Sequence, residues 1–278
     1  MGETGRVSVD VSAALELLAT GDITVQGRLV DASNATLFGQ VQGSGGGGDD
    51  GVRTVDCVYK PRAGERPLWD FPNGTLARRE VAAFAVSEAT GWRVVPPTLL
   101  RDGPFGPGMC QLWIDADEQA EPLVDVVPRG RLAPGWLPVL DALGGGGQPV
   151  TLTHADDPRL RRMAVLDVVI NNADRKGGHL IPAAGGHLYG VDHGVTFHTE
   201  HKLRTVLWGW AGMPLDPAEC ATLDALLLAL DGELGSALGE LLTRAEVRAT
   251  VRRVDELLAE GRLPHPGDGW PAIPWPPF

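Results

Sequence analysis

The sequence has few cysteines, few basic residues and no long apolar run. Its three cysteines, Cys57, Cys110 and Cys220, are scattered and form no Cys-x-x-Cys pair. This argues against a disulfide framework or a thiolate zinc site and favours a reducing compartment. No run approaches the roughly 18 apolar residues of a membrane span, and no secretory signal pattern opens the chain. We therefore expect a cytoplasmic protein.

The charge balance is acidic. Lys and Arg together number 24 against 36 Asp and Glu, so the formal net charge is −12. Nucleic acids and anionic membranes attract clusters of Lys and Arg, which makes them poor default partners for this chain. We expect no nucleic-acid partner and no stable membrane association, although a local basic pocket could still hold a small anion.

The pattern of apolar residues changes along the 278-residue chain. Strands are predicted at 23–30, 35–41, 52–60, 93–100 and 108–114. Helices are predicted at 11–19, 75–90 and 159–173, and near 200–208, 216–241 and 245–260. Between these groups, residues 115–158 are rich in Gly, Pro and Asp and read as a linker. The order predicts an α+β fold of two lobes, with a β-rich N-lobe at 1–114 and a mostly α-helical C-lobe at 115–278.

The N-terminal part offers a lysine and a glutamate suited to phosphoryl transfer. This reaction needs a Lys on the nucleotide phosphates and a carboxylate that holds the Lys in place. Lys60 lies at the end of a predicted strand, where the phosphate-binding Lys of kinases sits. Glu80 lies in the helix that follows and is the preferred partner, with Glu88 as the alternative.

The C-terminal part carries two further acidic residues that fit the same chemistry. Phosphoryl transfer needs a carboxylate to take the acceptor's proton and oxygen ligands for a metal ion. In kinase catalytic loops an Asn metal ligand follows the Asp base by five positions. Here Lys176 follows Asp174 by two residues, and position 179 is a His. Asp192, in the stretch VDHG, occupies the expected place of a metal-binding Asp.

These stretches resemble a known superfamily. LDVVINNADRKGGHL followed by YGVDHGVTF resembles the catalytic and metal loops of the phosphatidylinositol 3-/4-kinases, most closely the type II 4-kinases. SNATLFGQV and CVYKP are similar to the phosphate loop and the Lys strand. Together with KLRTVLWGWAGMPL, the pattern resembles an actinobacterial family labelled phosphatidylinositol 3-/4-kinase-like. The resemblance spans about residues 20–215.

The resemblance implies a two-lobed atypical kinase that binds ATP and a divalent metal ion, Mg²⁺ or Mn²⁺, in the cleft between the lobes. By position it implies that Asp174 is the base, that Asp192 is a metal ligand and that Lys60 binds phosphate. It also implies that Ser33 and Asn34 form the phosphate turn.

The same resemblance makes MCQLWI (109–114) the hinge between the lobes, whose backbone would meet adenine at Gln111, Leu112 and Trp113. One departure concerns His179, which replaces the Asn metal ligand. Neutral imidazole suits Mn²⁺ or Zn²⁺ better than Mg²⁺. Either the metal preference is altered, or the protein is a pseudokinase, a nucleotide-binding regulatory or scaffold module without transfer.

A third reading starts from the histidines, five of which fall within residues 179–201. They could form a His-rich metal site of a metal-dependent hydrolase, although no His-Glu-x-x-His motif occurs. The plainer interpretation is that they hydrogen-bond in turns. For a kinase, the acceptor is expected to be a protein or small molecule rather than a lipid, because Lys202 and Arg204 are the only cationic residues soon after Asp192.

Overall fold

The computed structural model describes residues 10–29, 35–43, 53–66, 68–71, 75–267 and 271–278. Ser33 and Asn34, predicted to form the phosphate turn, lie outside these ranges. The chain divides into two compact units, the first formed by Met1–Ala77 with Pro96–Trp113 and the second by Arg78–Val95 with Ile114–Phe278.

The described helices are α1 (Val11–Thr20), α2 (Leu76–Ala89), α3 (Pro158–Ile170), α4 (Pro217–Asp231), α5 (Glu233–Leu241) and α6 (Arg244–Glu260). The described strands are β1 (Asp22–Arg28), β2 (Leu37–Gly43), β3 (Arg53–Pro61), β4 (Thr98–Gly103), β5 (Gly106–Leu112), β6 (Val124–Pro128), β7 (Trp136–Leu143), β8 (Pro149–Ala155), β9 (Leu180–Pro182) and β10 (Leu188–Gly190). Within the described ranges, no helix is both long and apolar enough to cross a membrane.

The first unit is an antiparallel sheet of five strands with one helix. The strand order is β1-β2-β3-β5-β4, and α1 packs on the sheet. The carboxylate of Asp10 accepts a hydrogen bond from the Ser12 amide and so caps α1. Lys60 lies near the end of β3, where it pairs with Met109 of β5. Its neighbour Tyr59 is fully buried, so alternation along the strand turns Lys60 to the other face of the sheet.

Helix α3 sets up the polar loop of the second unit. The Asp157 carboxylate accepts from the Arg159 amide, and Pro158 occupies the first turn, which is a strong helix start. Most residues of the helix between Leu160 and Ile170 are buried, and nearly all of the buried ones are apolar. The helix stops at Asn171, whose left-handed conformation (φ 53°) ends the hydrogen-bonded ladder.

Residues 115–158, predicted to be a linker, instead contain an antiparallel sheet of order β6-β8-β7. Thr151, Thr153 and His154 of the central strand β8 are buried. Because these residues are polar, the pattern of apolar residues did not predict a buried strand here. The run of four glycines falls in the turn between β7 and β8, where the Gly147 amide donates to the Gly144 carbonyl (2.8 Å). The prediction of a loop was right for this turn alone.

The helix predicted near 200–208 is also wrong. Thr205 forms a parallel bridge with Arg175, and the Val206 amide donates to the Arg175 carbonyl (3.1 Å). This pairing holds the segment extended, and only a short 3-10 turn follows at Trp208–Trp210. The helix predicted over 216–241 is interrupted at Gly232, so that α4 and α5 are separate.

Candidate active site

The loop that carries Asp174 begins at the end of α3, where two asparagines shape the backbone. Asn tolerates the left-handed conformation that Asn171 adopts. Asn172 donates through Nδ2 to the Asp167 carboxylate (2.9 Å). Its side-chain oxygen accepts from the Asp174 amide (3.0 Å). Asn172 therefore ties the start of the loop to α3 and positions the backbone at Asp174.

Arg175, the residue after the predicted base, points inward. Its guanidinium binds both oxygens of Asp167, at 2.9 Å from Nε to Oδ2 and from Nη2 to Oδ1, and both side chains are 0% exposed. It also donates to the Val191 carbonyl (3.3 Å) and to Nε2 of His193 (2.7 Å). Since arginine can only donate, His193 accepts through Nε2. Arg175 thus joins α3 to the segment that carries Asp192.

The role of Arg175 was missed by sequence reasoning, although a signal existed. Asp167 is buried, and the other buried residues of α3 are apolar. A buried carboxylate needs a cationic or hydrogen-bonding partner. An arginine in the following loop, eight residues later, was the obvious candidate.

Asp174 has a different environment. Its side chain is 31% exposed, and the Lys176 ammonium lies 3.4 Å from its Oδ2. Burial raises the pKa of Asp174 above its usual range; the Lys176 charge opposes this, the negative charge of Asp192 adds to it, and Arg204 opposes it. The predicted base, its lysine and the predicted metal ligand are therefore close enough for their charges to interact. We call this group of residues the acidic neighbourhood.

Asp192 and His179 form the second half of the acidic neighbourhood. Oδ2 of Asp192 lies 3.6 Å from Nε2 of His179, and the Asp192 side chain is half exposed. Asp192 adopts a left-handed conformation (φ 61°), which is uncommon outside glycine. The Val191 amide donates to the His179 carbonyl (3.0 Å), which ties the two segments together.

These two side chains fit a divalent metal ion of the kinase type. Mg²⁺ in kinases is held by one or two protein carboxylates, with phosphates and water completing its shell. One carboxylate with one imidazole provides a comparable number of donors, with a nitrogen that suits Mn²⁺. Within the described ranges, no group of three or more His, Cys, Asp or Glu side chains is arranged around a common metal position.

Helix α2 is fastened to the segment that follows Asp192. Glu80 is 1% exposed, and its Oε2 accepts from the His193 amide (2.8 Å). Next to it, Arg79 donates to the Thr196 carbonyl and pairs with the Glu246 carboxylate of α6. Glu80 thus positions the residue after the predicted metal ligand. The predicted pairing of Glu80 with Lys60 stays a prediction.

Glu88, the alternative partner for Lys60, lies eight residues after Glu80, near the C-terminal end of α2. Oε2 of its carboxylate lies 3.9 Å from Nε of Arg93. Burial raises the pKa of Glu88, and Arg93 opposes the rise. The pairing of Glu88 with Lys60 also stays a prediction.

The residues predicted to form the hinge end β5 of the first unit. The side chain of Gln111 donates to the Thr98 hydroxyl (2.8 Å). The Leu112 amide donates to the Pro97 carbonyl (2.9 Å), and the Trp113 amide donates to the Asp56 backbone carbonyl (3.0 Å). These two amides already have partners within the unit, and the adenine-binding role of the stretch stays a prediction.

The clustered histidines take separate partners. His187 shares a hydrogen bond with the Arg93 carbonyl (2.9 Å), and His198 accepts from the Glu200 amide (3.0 Å) through Nδ1. His179 faces Asp192, as described above. Different partners for neighbouring histidines agree with hydrogen bonding in turns, which was the plainer interpretation of the sequence.

Comparison with known proteins relates the whole chain to a bacterial protein. It is 51% identical over 270 residues to protein Rv2133c of Mycobacterium tuberculosis (strain ATCC 25618 / H37Rv), and the match covers 94% of each chain. The chain belongs to the Rv2133c family. That protein's name states no activity. No family model matches the sequence.

Two solved structures have a similar fold at low identity. The Fam20 protein of hydra, solved with a sugar, has a TM-score of 0.52 and 15% identity, with 91% of this chain and 89% of that chain covered. The golgi casein kinase has a TM-score of 0.52 and 14% identity, with 94% and 80% covered. At such identities the likeness concerns the fold alone.

The fold prediction is confirmed. The protein has an α+β, kinase-like fold with a β-rich first part and a mostly helical second part. The narrower resemblance to phosphatidylinositol 3-/4-kinases stays a prediction.

Proposed function

We propose that the protein is an atypical kinase, which binds ATP with a divalent metal ion and transfers the γ-phosphate to a hydroxyl group. The observation that carries the proposal is the Asp174 carboxylate, partly exposed and close to Lys176 in a kinase-like fold. Its raised pKa reflects both burial and the charge of Asp192.

Asp174 has the properties of a general base. A hydroxyl acceptor is activated when a carboxylate takes its proton as the oxygen attacks phosphorus. A raised pKa makes the carboxylate a stronger base. Lys176, at 3.4 Å, stabilises the ionised form that must be present before the proton is taken.

Asp192 and His179 would hold the metal ion. When bound, the ion would neutralise negative charge on the transferred phosphoryl group. Within the chain itself, Glu80 and Arg175 hold the segment from Val191 to His193 in place through hydrogen bonds to its backbone and side chain. This support keeps the Asp192 carboxylate near Asp174.

The acceptor proposed is a protein or a small molecule rather than a lipid. Contact with an anionic membrane needs exposed Lys and Arg side chains. Lys202 is 7% exposed and lies 3.5 Å from the Glu200 carboxylate, and Arg204 donates to the Ile273 carbonyl. Lys202 and Arg204 are therefore both engaged within the protein.

The test combines ATP binding with phosphoryl transfer. Lys60→Ala should weaken ATP affinity in calorimetry with Mg²⁺ or Mn²⁺, whereas Arg129→Ala, at an exposed surface pair, should not.

Asp174→Asn should keep ATP binding and reduce ATP turnover by roughly 10²–10⁴-fold, because an amide cannot take the proton. Asp141→Asn removes one acidic charge from an exposed site and should leave turnover unchanged. Full turnover in Asp174→Asn would refute the assignment.

A pseudokinase is the second candidate, favoured by the imidazole of His179 beside Asp192 where the kinase pattern has an Asn. It would bind nucleotide and transfer nothing. A thermal shift with ATP, ADP and GTP, each with Mg²⁺ or Mn²⁺, tests nucleotide binding directly. Binding of ATP without turnover of any acceptor, or of water, would select this candidate.

A further inference from the structure

Residues 271–278, which we call the strap, lie against the loop that carries Asp174. At one end the Ala272 carbonyl accepts from the Thr205 amide (3.0 Å) and from Nε1 of Trp208 (2.9 Å). At the other end the Pro277 carbonyl accepts from the Gly177 amide (2.8 Å). The proposed kinase chemistry makes no use of these contacts.

Gly177 makes room for an aromatic ring of the strap. A Cβ atom at Gly177 would lie 2.8 and 2.9 Å from Cδ1 and Cε1 of Phe278, closer than such atoms approach. The φ of Gly177 is not in the left-handed region, so its backbone does not itself demand glycine. Because Gly177 has no side chain, it leaves the space that the Phe278 ring occupies.

The two ends of the strap bracket Arg175. Thr205, which is bonded to the strap, also bridges Arg175, and the Arg175 amide donates to the Arg204 carbonyl (3.0 Å). Gly177, bonded to the other end, follows Arg175 by two residues. Asp174 and Lys176 therefore lie on a backbone held by the buried Asp167 on one side and by the strap on the other.

We propose that the strap is a positioning element of the active site: Phe278 and the Pro277 carbonyl hold Gly177 so that Asp174 and Lys176 keep their orientation. The catalytic part of this inference rests on the proposed function, whereas the ordering of the loop does not. Misplacement of a catalytic group by about 1 Å can cost on the order of 10²-fold in rate, so loss of the strap contacts at Gly177 should reduce the rate.

The first experiment measures ordering without any activity. In hydrogen–deuterium exchange of the full chain, Phe278→Ala should speed exchange at the Gly177 amide by about tenfold, because the ring no longer shields its hydrogen bond. Phe105→Ala is the matched control, since Phe105 is 57% exposed against 52% for Phe278 and belongs to the first unit. Unchanged exchange at Gly177 in Phe278→Ala would overturn the proposal.

A double-mutant cycle tests the ring contact itself. Gly177→Ala should displace the Phe278 ring and speed exchange alone, but add nothing once Phe278 is alanine. Independent, multiplying effects of the two substitutions would show that the ring does not hold Gly177 and would overturn the contact proposed.

The third measurement links ordering to catalysis. Phe278→Ala should lower kcat severalfold while the KM for ATP stays constant, because the base is misplaced and the nucleotide is not. A kcat that is unchanged or raised, despite faster exchange, would refute the positioning role. If the wild type shows no turnover while exchange behaves as expected, the proposed function fails and the ordering of the loop by the strap stands.

Discussion

Asp167 and Asp174 stand on either side of the end of α3 and have contrasting surroundings. Asp167 is 0% exposed and is bound by both arms of Arg175 and by Asn172. Asp174 is partly exposed, has Lys176 at 3.4 Å and is repelled by Asp192, which helps to raise its pKa. Both residues belong to the same short stretch of sequence and carry the same functional group.

The contrast distinguishes a carboxylate that stabilises the fold from a carboxylate that is placed to take part in a reaction. The buried pair of Asp167 and Arg175 holds the loop in one arrangement, and both side chains of the pair are hydrogen-bonded. Asp174 is left with an environment that disfavours its charged form, which is typical of groups that take part in chemistry. Four experiments test this distinction.

Arg175→Met should have the largest effect. It leaves the Asp167 carboxylate buried without its partner, and removing one member of a buried pair costs about 3–5 kcal/mol of unfolding free energy. Urea denaturation measures the loss. In the control Arg252→Met, the arginine is 57% exposed and 3.7 Å from Glu256. That surface pair should contribute at most ~0.5 kcal/mol. Equal losses in both variants would contradict the structural role of Arg175.

Lys176→Met should shift the pH dependence of turnover. The reaction needs the Asp174 carboxylate ionised, so activity is lost as the pH falls through its raised pKa. Lys176 and Arg204 lower that pKa, whereas burial and Asp192 raise it. Without Lys176 the acid limb of the kcat profile should move to higher pH.

The profile is measured at saturating ATP and metal ion, with Arg129→Met as a surface control. An acid limb that stays in place in Lys176→Met would mean that the profile does not report Asp174.

His179→Asn should change metal preference by a smaller factor. Imidazole accepts Mn²⁺ more readily than Mg²⁺, whereas an amide oxygen suits Mg²⁺. Nucleotide affinity with each metal should therefore shift severalfold toward Mg²⁺ in the variant. The same preference in both proteins would show that His179, although 3.6 Å from Asp192, is not a ligand.

Asp174→Asn should have the smallest effect on stability, and in the favourable direction. The folded protein raises the pKa of this carboxyl group, so its contribution to stability is present at low pH and is lost as the pH rises through the raised pKa. At pH 7 the neutral amide should therefore raise Tm slightly, as measured by thermal unfolding.

The same change at the buried site, Asp167→Asn, should lower Tm, because it leaves Arg175 without its counter-charge. Changes of the same sign in the two variants would remove the distinction between the two carboxylates.

Much of the secondary structure followed from the sequence, because local spacing encodes it. Apolar residues at helical spacing placed α1, α2, α3 and α6, and strand patterns placed β1, β2, β3 and β5. The strand predicted at 93–100 overlaps β4 only at residues 98–100. The order of Asp174, Lys176 and Asp192 along one stretch was enough to predict that they share a site. In the structure the charges of Lys176 and Asp192 both influence the pKa of Asp174, and the shared site stays a prediction.

Only the tertiary structure decided which charges are structural. Glu80 and His193 are 113 residues apart, and no local pattern relates them. The extended segment at Thr205, predicted as a helix, depends on pairing with Arg175, and the strap depends on space left by Gly177. Contacts between distant segments outweigh local propensity in such places, because burial and backbone hydrogen bonds contribute more than the small intrinsic preference for a helix.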